Sequence, residues 1–304
     1  MTPAQGPLSG LPVIGGYRLV QPWEASGSAN WSFAERDGRL WFIKEFGSPC
    51  YLREEDGFSP QKIRRRREKC EAFRVKKASF YDRVVRADTG NLVPVKSFFS
   101  FGTKFYAVSE KVDTAGIGTG EIAGMESAEK LILLKVLCYS LMRLHALGVV
   151  HADLKPDNVL VKRTERAVTM KLIDFDAGFC EEDPPRGKDV SLDLLFMSPE
   201  VMLACQDESV TLDRKTDVFS LGLLFHLYWS GELPGLQEDC LYPYEAALRD
   251  LPLRMSARLP SYLSALIGRM LRKDPRSRPD LEEVFQKLSR GVAFGPPRIP
   301  GGKP

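Results

Sequence analysis

The hydrophobic pattern of the first part of the chain predicts strands and one long helix. Residues 17–46 read as strands, with a polar Asp37–Gly38 turn between two runs of aromatic and aliphatic residues, which is a hairpin signal. Residues 91–112 predict two more strands joined by a turn at Gly102. Between them, residues 60–86 predict a helix, because apolar side chains recur there at spacings of three, four and seven, at Ile63, Cys70, Phe73, Phe80 and Val84.

After residue 127 the pattern becomes mostly helical. The most apolar stretch, LILLKVLCYSLMRLHALGVV at 131–150, is interrupted by Lys135, Arg143 and His145, so it predicts a buried helix and not a membrane span. Two short β-like runs flank residues 164–169. The fold class is therefore α+β, with a small β-rich part containing one main helix at 16–112, a larger helical part at 113–290, and tails rich in Gly and Pro at 1–15 and 291–304.

Net charge and cysteine spacing limit which partners and which cellular compartment are expected. The 43 Lys and Arg and 40 Asp and Glu give a net charge of only +3, so no nucleic-acid partner is expected. The basic run at 63–77 is expected to be a solvated helix face. Six scattered cysteines form no C-x-x-C pair, and the first residues lack the features of a secretory signal. These observations predict a reducing compartment, the cytoplasm.

One decapeptide concentrates charge beside an apolar run. HADLKPDNVL at 151–160 contains Asp153, Lys155 and Asn158, and LIDFD at 172–176 ends a β-like run with Asp174. A helix end followed by a solvated turn does not account for these polar residues between apolar runs. Carboxylate and amide oxygens suit a hard cation, so Asn158 and Asp174 are expected to hold Mg²⁺. Asp153 would then accept a hydroxyl proton, and Lys155 would neutralise a transferring phosphoryl group.

Six short motifs now make the chain resemble the protein kinase family, as a divergent member such as a bacterial one. HADLKPDN resembles the catalytic loop H-R-D-x-K-x-x-N, and DFD at 174–176 resembles D-F-G. The other four occur in the family's order: FIK at 42–44, SPE at 198–200, TDVFSLGLLF at 216–225 and DPRSRPDLEEV at 274–284. The resemblance covers about residues 17–288. It implies a bilobal kinase fold, ATP and Mg²⁺ as cofactors, a protein substrate with Ser or Thr acceptors, and autophosphorylation as a further option.

The resemblance also implies roles for single residues. Lys44 would bind the α- and β-phosphates of ATP and pair with a helix glutamate, either Glu71 or Glu68. Asp153 would be the catalytic base. The remaining nucleotide contacts would come from the loop residues Gly27 and Ser28, from the hinge residues Glu110 and Val112 next to Ser109, and from Leu160 under adenine. Glu200 would pair with Arg278, and Asp217 would brace the catalytic loop.

Several positions depart from the family pattern. EASGSANWSFA at 24–34 has one glycine where the family has a glycine-rich loop. Phe42 replaces a small residue that packs over adenine, Ala152 replaces an arginine, Asp176 replaces a glycine, and Asp193 stands where a threonine usually contacts the catalytic loop. The acids Glu181, Glu182 and Asp183 are expected to lie on a solvated loop, with a stand-in for a phosphate as the alternative.

The sequence thus leaves three functional hypotheses in order. The first is an active serine/threonine protein kinase, because each residue with a direct chemical role has a counterpart. The second is a pseudokinase that acts as a nucleotide-binding or scaffold module, which Phe42, Asp176 and the poor glycine loop favour. A kinase-like enzyme that phosphorylates small molecules ranks last, since SPE and the lysine two residues after Asp153 resemble protein-directed members.

Overall fold

The structure is a computed structural model that describes residues 10–26, 29–112, 116–163, 168–187, 190, 193–237 and 239–290. The chain divides into two compact units. Of the described residues, 10–88 and 93–112 belong to the first unit, and 89–92 and 116–290 to the second.

The first unit contains an antiparallel sheet. Its strands follow the order β1-β2-β4-β5-β7-β6, and β3 pairs with the first residues of β4. The bounds are β1 Val13–Ile14, β2 Tyr17–Leu19, β3 Glu24–Ser26, β4 Ala29–Arg36, β5 Arg39–Phe46, β6 Val95–Phe101 and β7 Lys104–Glu110. The predicted hairpin turn is confirmed: Asp37 and Gly38 both have positive φ, at 53° and 71°, as a two-residue turn with the twist of its strands requires.

Strand β1 occupies part of the predicted N-terminal tail. Val13 and Ile14 pair with Arg18 and Tyr17. Ile14 is buried beside Tyr17 and Leu19, in a core cluster on one face of the sheet. These apolar contacts explain why the segment is a strand despite its glycine-rich surroundings.

The predicted long helix is also confirmed, as α1 Pro60–Ala87. Ser59 caps its N-terminus by accepting the Lys62 N–H, and Pro60 occupies the first turn. The apolar spacing faces the sheet: Phe73 contacts the rings of Phe46, Phe98 and Phe105 at centroid distances of 5.2–6.1 Å. Helix and sheet therefore share one aromatic layer.

The second unit is mainly helical, as predicted. Its helices are α2 Thr119–Ala123, α3 Ser127–His145, α4 Pro199–Gln206, α5 Lys215–Ser230, α6 Pro243–Leu248, α7 Ser261–Met270 and α8 Leu281–Arg290. Its strands are β8 Val149–Val150, β9 Val159–Arg163, β10 Val168–Leu172 and β11 Phe179–Cys180, which form the antiparallel pairs β9–β10 and β8–β11. Nearly every residue of α5 is buried, so α5 is the central helix of this unit.

The apolar run at 131–150 is not one helix. Helix α3 ends at His145, Gly148 has a φ of 66°, and Val149–Val150 form β8. Among the described residues, no helix is both long and apolar enough to cross a membrane. All six cysteines carry free thiols.

Residues 89–92 pack with the second unit although the chain on both sides belongs to the first. The Leu172 N–H donates to the Asn91 carbonyl at 2.8 Å, and Leu92 forms a parallel bridge with Leu172. The proposed lobe limits at residues 112 and 113 stay predictions.

Candidate active site

Three polar residues of the charged decapeptide form one hydrogen-bonded group. Lys155 Nζ lies 3.0 Å from Asp153 Oδ1, and Asn158 Nδ2 donates to Asp153 Oδ2 at 2.8 Å and to the Asp153 carbonyl at 2.7 Å. Each carboxylate oxygen of Asp153 is thus held by a different side chain. The short 3₁₀ turn Pro156–Asn158 brings Asn158 back toward Asp153. This arrangement gives a carboxylate of fixed orientation that still has acceptor capacity for a proton.

Asp217 of α5 holds the backbone of this loop. It is fully buried, and its carboxylate accepts the N–H groups of His151 at 2.9 Å and Ala152 at 2.8 Å, together with His145 Nε2 at 2.9 Å. Burial alone would raise the pKa of the Asp217 carboxyl, but the hydrogen bonds and electrostatic attraction of His145 and His151 outweigh it and lower that pKa. The predicted bracing role of Asp217 is confirmed.

His151 connects the loop to the second acidic motif. Its Nδ1 accepts the Asp153 N–H at 3.3 Å, and its Nε2 lies 3.2 Å from the Ile173 carbonyl, which precedes Asp174. Phe175 is buried against the His151 ring, with centroids 5.0 Å apart. The two motifs that the sequence places twenty residues apart are therefore joined through one histidine.

Two residues of these motifs have strained backbones. Ala152 has a φ of 62° and Asp174 a φ of 57°, values that residues other than glycine rarely adopt. Asp174 Oδ1 accepts the Asp176 N–H at 3.2 Å, so Asp176 contributes its backbone where the family has glycine. Such strain persists where surrounding contacts impose it, and it concentrates at functional sites.

The donor set fits the metal that the resemblance implies. Asn158 uses its amide nitrogen on Asp153, which leaves its side-chain carbonyl oxygen as an acceptor, and Asp174 offers a carboxylate. Hard oxygen donors of this kind suit Mg²⁺. Among the described residues, no group of three or more His, Cys, Asp or Glu side chains forms a ready-made metal site. The two residues alone would therefore leave further coordination positions to phosphate oxygens or water.

A cavity of about 660 Å³ opens beside the catalytic loop within the second unit. Leu160 of β9, residues 116–119, Leu195 and Tyr228 are among the residues that line it. Leu160 therefore lies on the wall of this cavity. Its role under adenine stays a prediction.

Lys44 lies in the middle of the sheet of the first unit. It is largely buried in β5, opposite Trp31 of β4 and Ala107 of β7. On the same face, Phe42 stacks on Trp31 with centroids 5.6 Å apart and meets Phe33 edge-on at 6.1 Å. A layer of three rings therefore covers the sheet next to the lysine, where the sequence predicted only Phe42.

The two candidate helix glutamates differ in their surroundings. Glu71 accepts the Tyr51 hydroxyl at 2.6 Å on one oxygen and the Arg74 guanidinium at 2.8 Å on the other. Glu68 is exposed and pairs with Arg64 at 3.1 Å. The assignment of either residue to Lys44 stays a prediction. Burial, and next the hydrogen bond to Glu71, raise the pKa of the Tyr51 phenol to about 12.

The other expected nucleotide contacts lie at the edge of the first unit. Glu110 ends β7 opposite Trp41 and is exposed, and Val112 follows it. Ser109 lies opposite Phe42. Gly27 and Ser28 fall outside the described residues, so their predicted approach to phosphates stays a prediction.

Two ion pairs anchor the segment that follows Asp174. Arg278 binds Glu200 through two nitrogens at 2.6 and 2.7 Å, which confirms the predicted pair. Glu181 is held by the backbone N–H, Nε and Nη2 of Arg214. The expectation of a solvated loop is therefore wrong for Glu181, because the Arg214 guanidinium forms a bidentate ion pair with its carboxylate. Glu182 and Asp183 are exposed.

Sequence comparison now defines the family. The model of the protein kinase domain matches residues 81–288, more than half of the chain. The chain belongs to the protein kinase family. The matched range excludes Lys44 and residues 24–34, so their roles depend on the short motif resemblance.

Curated relatives carry the same family description. The chain is 32% identical over 157 residues to the ovarian-specific serine/threonine-protein kinase Lok of Drosophila melanogaster, which covers 49% of this chain and 32% of that protein. It is 30% identical over 160 residues to the serine/threonine-protein kinase pkn2 of Myxococcus xanthus, and the alignment covers 51% of this chain and 19% of that protein. It is 26% identical over 213 residues to the serine/threonine-protein kinase RAD53 of Saccharomyces cerevisiae, and this alignment covers 62% of this chain and 24% of that protein. The aligned part is a third or less of each relative.

Proposed function

We propose that this chain is an ATP- and Mg²⁺-dependent protein kinase that transfers the γ-phosphoryl group to Ser and Thr hydroxyls of a protein substrate. The observation that carries the proposal is the fixed carboxylate of Asp153, held by Lys155 and Asn158 on a loop that buried Asp217 anchors. A phosphoryl-transfer site needs little covalent chemistry from the protein, and it depends on positioning and charge. Names of the curated relatives favour Ser and Thr as acceptors.

In the proposed reaction Asp153 orients the acceptor hydroxyl and accepts its proton. The hydroxyl oxygen forms the new bond to phosphorus while the bond from phosphorus to the bridging oxygen of the nucleotide breaks. Lys155 supplies positive charge beside Asp153, and Lys44 would bind the non-transferred phosphates. Asn158 and Asp174 would hold Mg²⁺, which when bound neutralises negative charge on the phosphates.

The remaining assignments follow from the same proposal. Leu160 would lie under adenine, and Glu110 and Val112 would bond to it. Autophosphorylation in place of a separate substrate is compatible with the site. A cytoplasmic location remains a prediction from the scattered, free cysteines.

The ring layer beside Lys44 favours one alternative function, that of a pseudokinase. Trp31, Phe33 and Phe42 occupy the sheet face where small residues would leave room for a base. If they exclude the base, Phe42→Ala will strengthen binding of Mg–ATP in a calorimetric titration. Phe101→Ala, which removes an exposed ring from β6, is the matched control and is expected to change nothing.

Mass spectrometry of the products tests the proposed function against this alternative. The wild-type chain is incubated with ATP and a basic acceptor protein, once with Mg²⁺ and once with a chelator. Phosphate on Ser or Thr of the acceptor or of the chain itself, formed only with Mg²⁺, is the expected result. No phosphate on any residue, from a chain that binds Mg–ATP and is folded, would establish the pseudokinase.

A further inference from the structure

Asp193 is fixed at the start of a turn that is anchored in the core. Its Oδ1 accepts the N–H groups of Leu195 and Phe196, both at 3.1 Å, and its carbonyl accepts the Met197 N–H at 2.9 Å. The Phe196 carbonyl in turn accepts the Ser220 hydroxyl of α5 at 2.8 Å. One oxygen of Asp193 is therefore committed to the turn, and the position of the other oxygen follows from it.

That second oxygen lies next to the lysine of the catalytic loop. Asp193 Oδ2 is 3.3 Å from Lys155 Nζ, and Asp153 Oδ1 is 3.0 Å from the same nitrogen. All three side chains are mostly buried, with 28%, 25% and 17% exposure for Asp193, Lys155 and Asp153. Burial alone would lower the pKa of the Lys155 ammonium, but Asp153 and then Asp193 outweigh it and raise that pKa.

The shared ammonium changes the charge that a phosphoryl group would meet. An ammonium has three donors, and two of them serve carboxylates here. Two carboxylates and one ammonium leave the trio with a net charge of −1, whereas a neutral residue at position 193 would leave it neutral. An anionic phosphoryl group would therefore have to share the positive charge of Lys155 with Asp193.

We propose that Asp193 is a positioning residue that acts through Lys155: it holds the lysine as a competing anion and so restrains phosphoryl transfer. The inference rests on the proposed function and deepens it. Removal of the Asp193 charge would not disorder the base, because Asn158 holds the other oxygen of Asp153 at 2.8 Å. The lysine would instead become more available to phosphate.

Two variants separate the charge of Asp193 from its part in the turn. Asp193→Asn keeps an oxygen that can accept the Leu195 and Phe196 N–H groups but removes the charge. Asp193→Ala removes both. Asp193→Asn is expected to keep the wild-type Tm and to raise kcat/KM for ATP by about two- to fivefold, the effect of one partly exposed ion pair. Asp193→Ala is expected to lower the Tm as well.

Lysine labelling gives a readout that does not depend on activity. Wild type and Asp193→Asn are treated with a limiting amine-acylating reagent at pH 8.5, and mass spectrometry compares Lys155 with Lys273, which pairs with Asp250 on the surface. Faster acylation of Lys155 in Asp193→Asn, with Lys273 unchanged, is expected because the lysine loses an anionic partner. Unchanged acylation of Lys155 would overturn the proposal.

Kinetics in a second background tests the route through Lys155. In a Lys155→Ala chain, Asp193→Asn is expected to lose its effect on kcat/KM, because the residue through which it acts is gone. An equal gain in both backgrounds would overturn the proposal, and so would an unchanged or lower kcat/KM in the single variant. Faster acylation of Lys155 together with no transfer by the wild type would instead overturn the proposed function.

Discussion

At the scale of single residues, Asp217 shows how a buried charge is tolerated. Its carboxylate has three donors, from His145, His151 and Ala152, and no exposed surface. Burying an ion costs several kcal/mol unless such partners replace water. Here they also fix Ala152 in its positive φ, so the same contacts stabilise the fold and position the loop.

Replacing Asp217 by Asn is expected to destabilise the protein strongly. The amide offers one acceptor oxygen, and its NH₂ group would face N–H donors, so we expect a loss of about 3–5 kcal/mol in the free energy of unfolding. Urea unfolding monitored by circular dichroism measures it. Asp250→Asn removes an exposed carboxylate paired with Lys273 and should cost less than about 1 kcal/mol. Equal losses in the two variants would contradict this account.

His226 predicts a pH dependence of stability. Its Nδ1 lies 2.7 Å from the Glu232 carbonyl, and its Nε2 accepts the Ser256 N–H at 3.0 Å, so the ring is held neutral. Burial lowers the pKa of His226 below its unfolded value of about 6.5. The unfolded chain then binds a proton first, and stability is lost as the pH falls from about 6.5 through the folded pKa.

The measurement is the free energy of unfolding between pH 7 and pH 5 for wild type and His226→Gln. This residue should contribute a slope of at most about 1.4 kcal/mol per pH unit to the wild type, and none to the variant. Parallel curves for the two chains would show that His226 does not titrate as described.

Some side-chain contacts follow from the sequence and others do not. Asp217 and the Glu200–Arg278 pair could be anticipated because motif order fixes their places. The motif resemblance placed Asp193 next to the catalytic loop, but it did not predict the ion pair of Asp193 with Lys155. The bond of Arg214 to Glu181 could not be anticipated, because it joins segments more than thirty residues apart and no local pattern sets their distance. For Glu181 the sequence therefore predicts a solvated side chain, because its partner Arg214 lies far along the chain.

At the scale of elements, the packing of α5 against α7 leaves no room for a side chain at one position. A Cβ added at Gly222 would lie 3.0 Å from Met270 Cβ and 3.0 Å from Leu271 Cδ2. Real Cβ atoms seldom approach so closely in a well-packed interior. The glycine in α5 is therefore a packing requirement and not a break in the helix.

Gly222→Ala is expected to destabilise the protein by about 1–3 kcal/mol, the usual cost of overpacking. Gly268→Ala in α7 is the matched control, because a Cβ there meets nothing within 4 Å. In this exposed helical position alanine should stabilise by up to about 1 kcal/mol. Thermal unfolding of both variants checks the opposite signs, and a stabilised Gly222→Ala would show that the interface is looser than described.

Elements were predictable where one local rule decided them. The apolar spacing predicted α1, and the Asp37–Gly38 turn predicted the β4–β5 hairpin. Counting outward from that turn also pairs Trp31 with Lys44, as the structure has it. The ring layer therefore follows from the sequence once the register of the hairpin is counted from its turn. The end of α3 at His145 was not predictable from hydrophobicity, since β8 is equally apolar.

At the scale of the whole molecule, charge is distributed unevenly. Helix α1 has eleven basic and three acidic residues, whereas the rest of the chain has 32 basic and 37 acidic ones. The net charge of +3 therefore hides one strongly basic element in an acidic chain. Three ion pairs on α1, Arg64–Glu68, Arg74–Glu71 and Arg86–Asp82, engage all of its acids. The expectation of a solvated basic face fits the exposure of Arg64 and Lys69.

A comparison of three chains tests whether Asp153 is the base of a phosphoryl-transfer site. Transfer of phosphate from Mg–ATP is followed by mass spectrometry for wild type, Asp153→Asn and the surface control Asp250→Asn, all shown to be folded. We expect phosphate on Ser or Thr with wild type and control, and a rate lower by at least about 100-fold with Asp153→Asn. Transfer by Asp153→Asn at the wild-type rate would show that Asp153 is not the base.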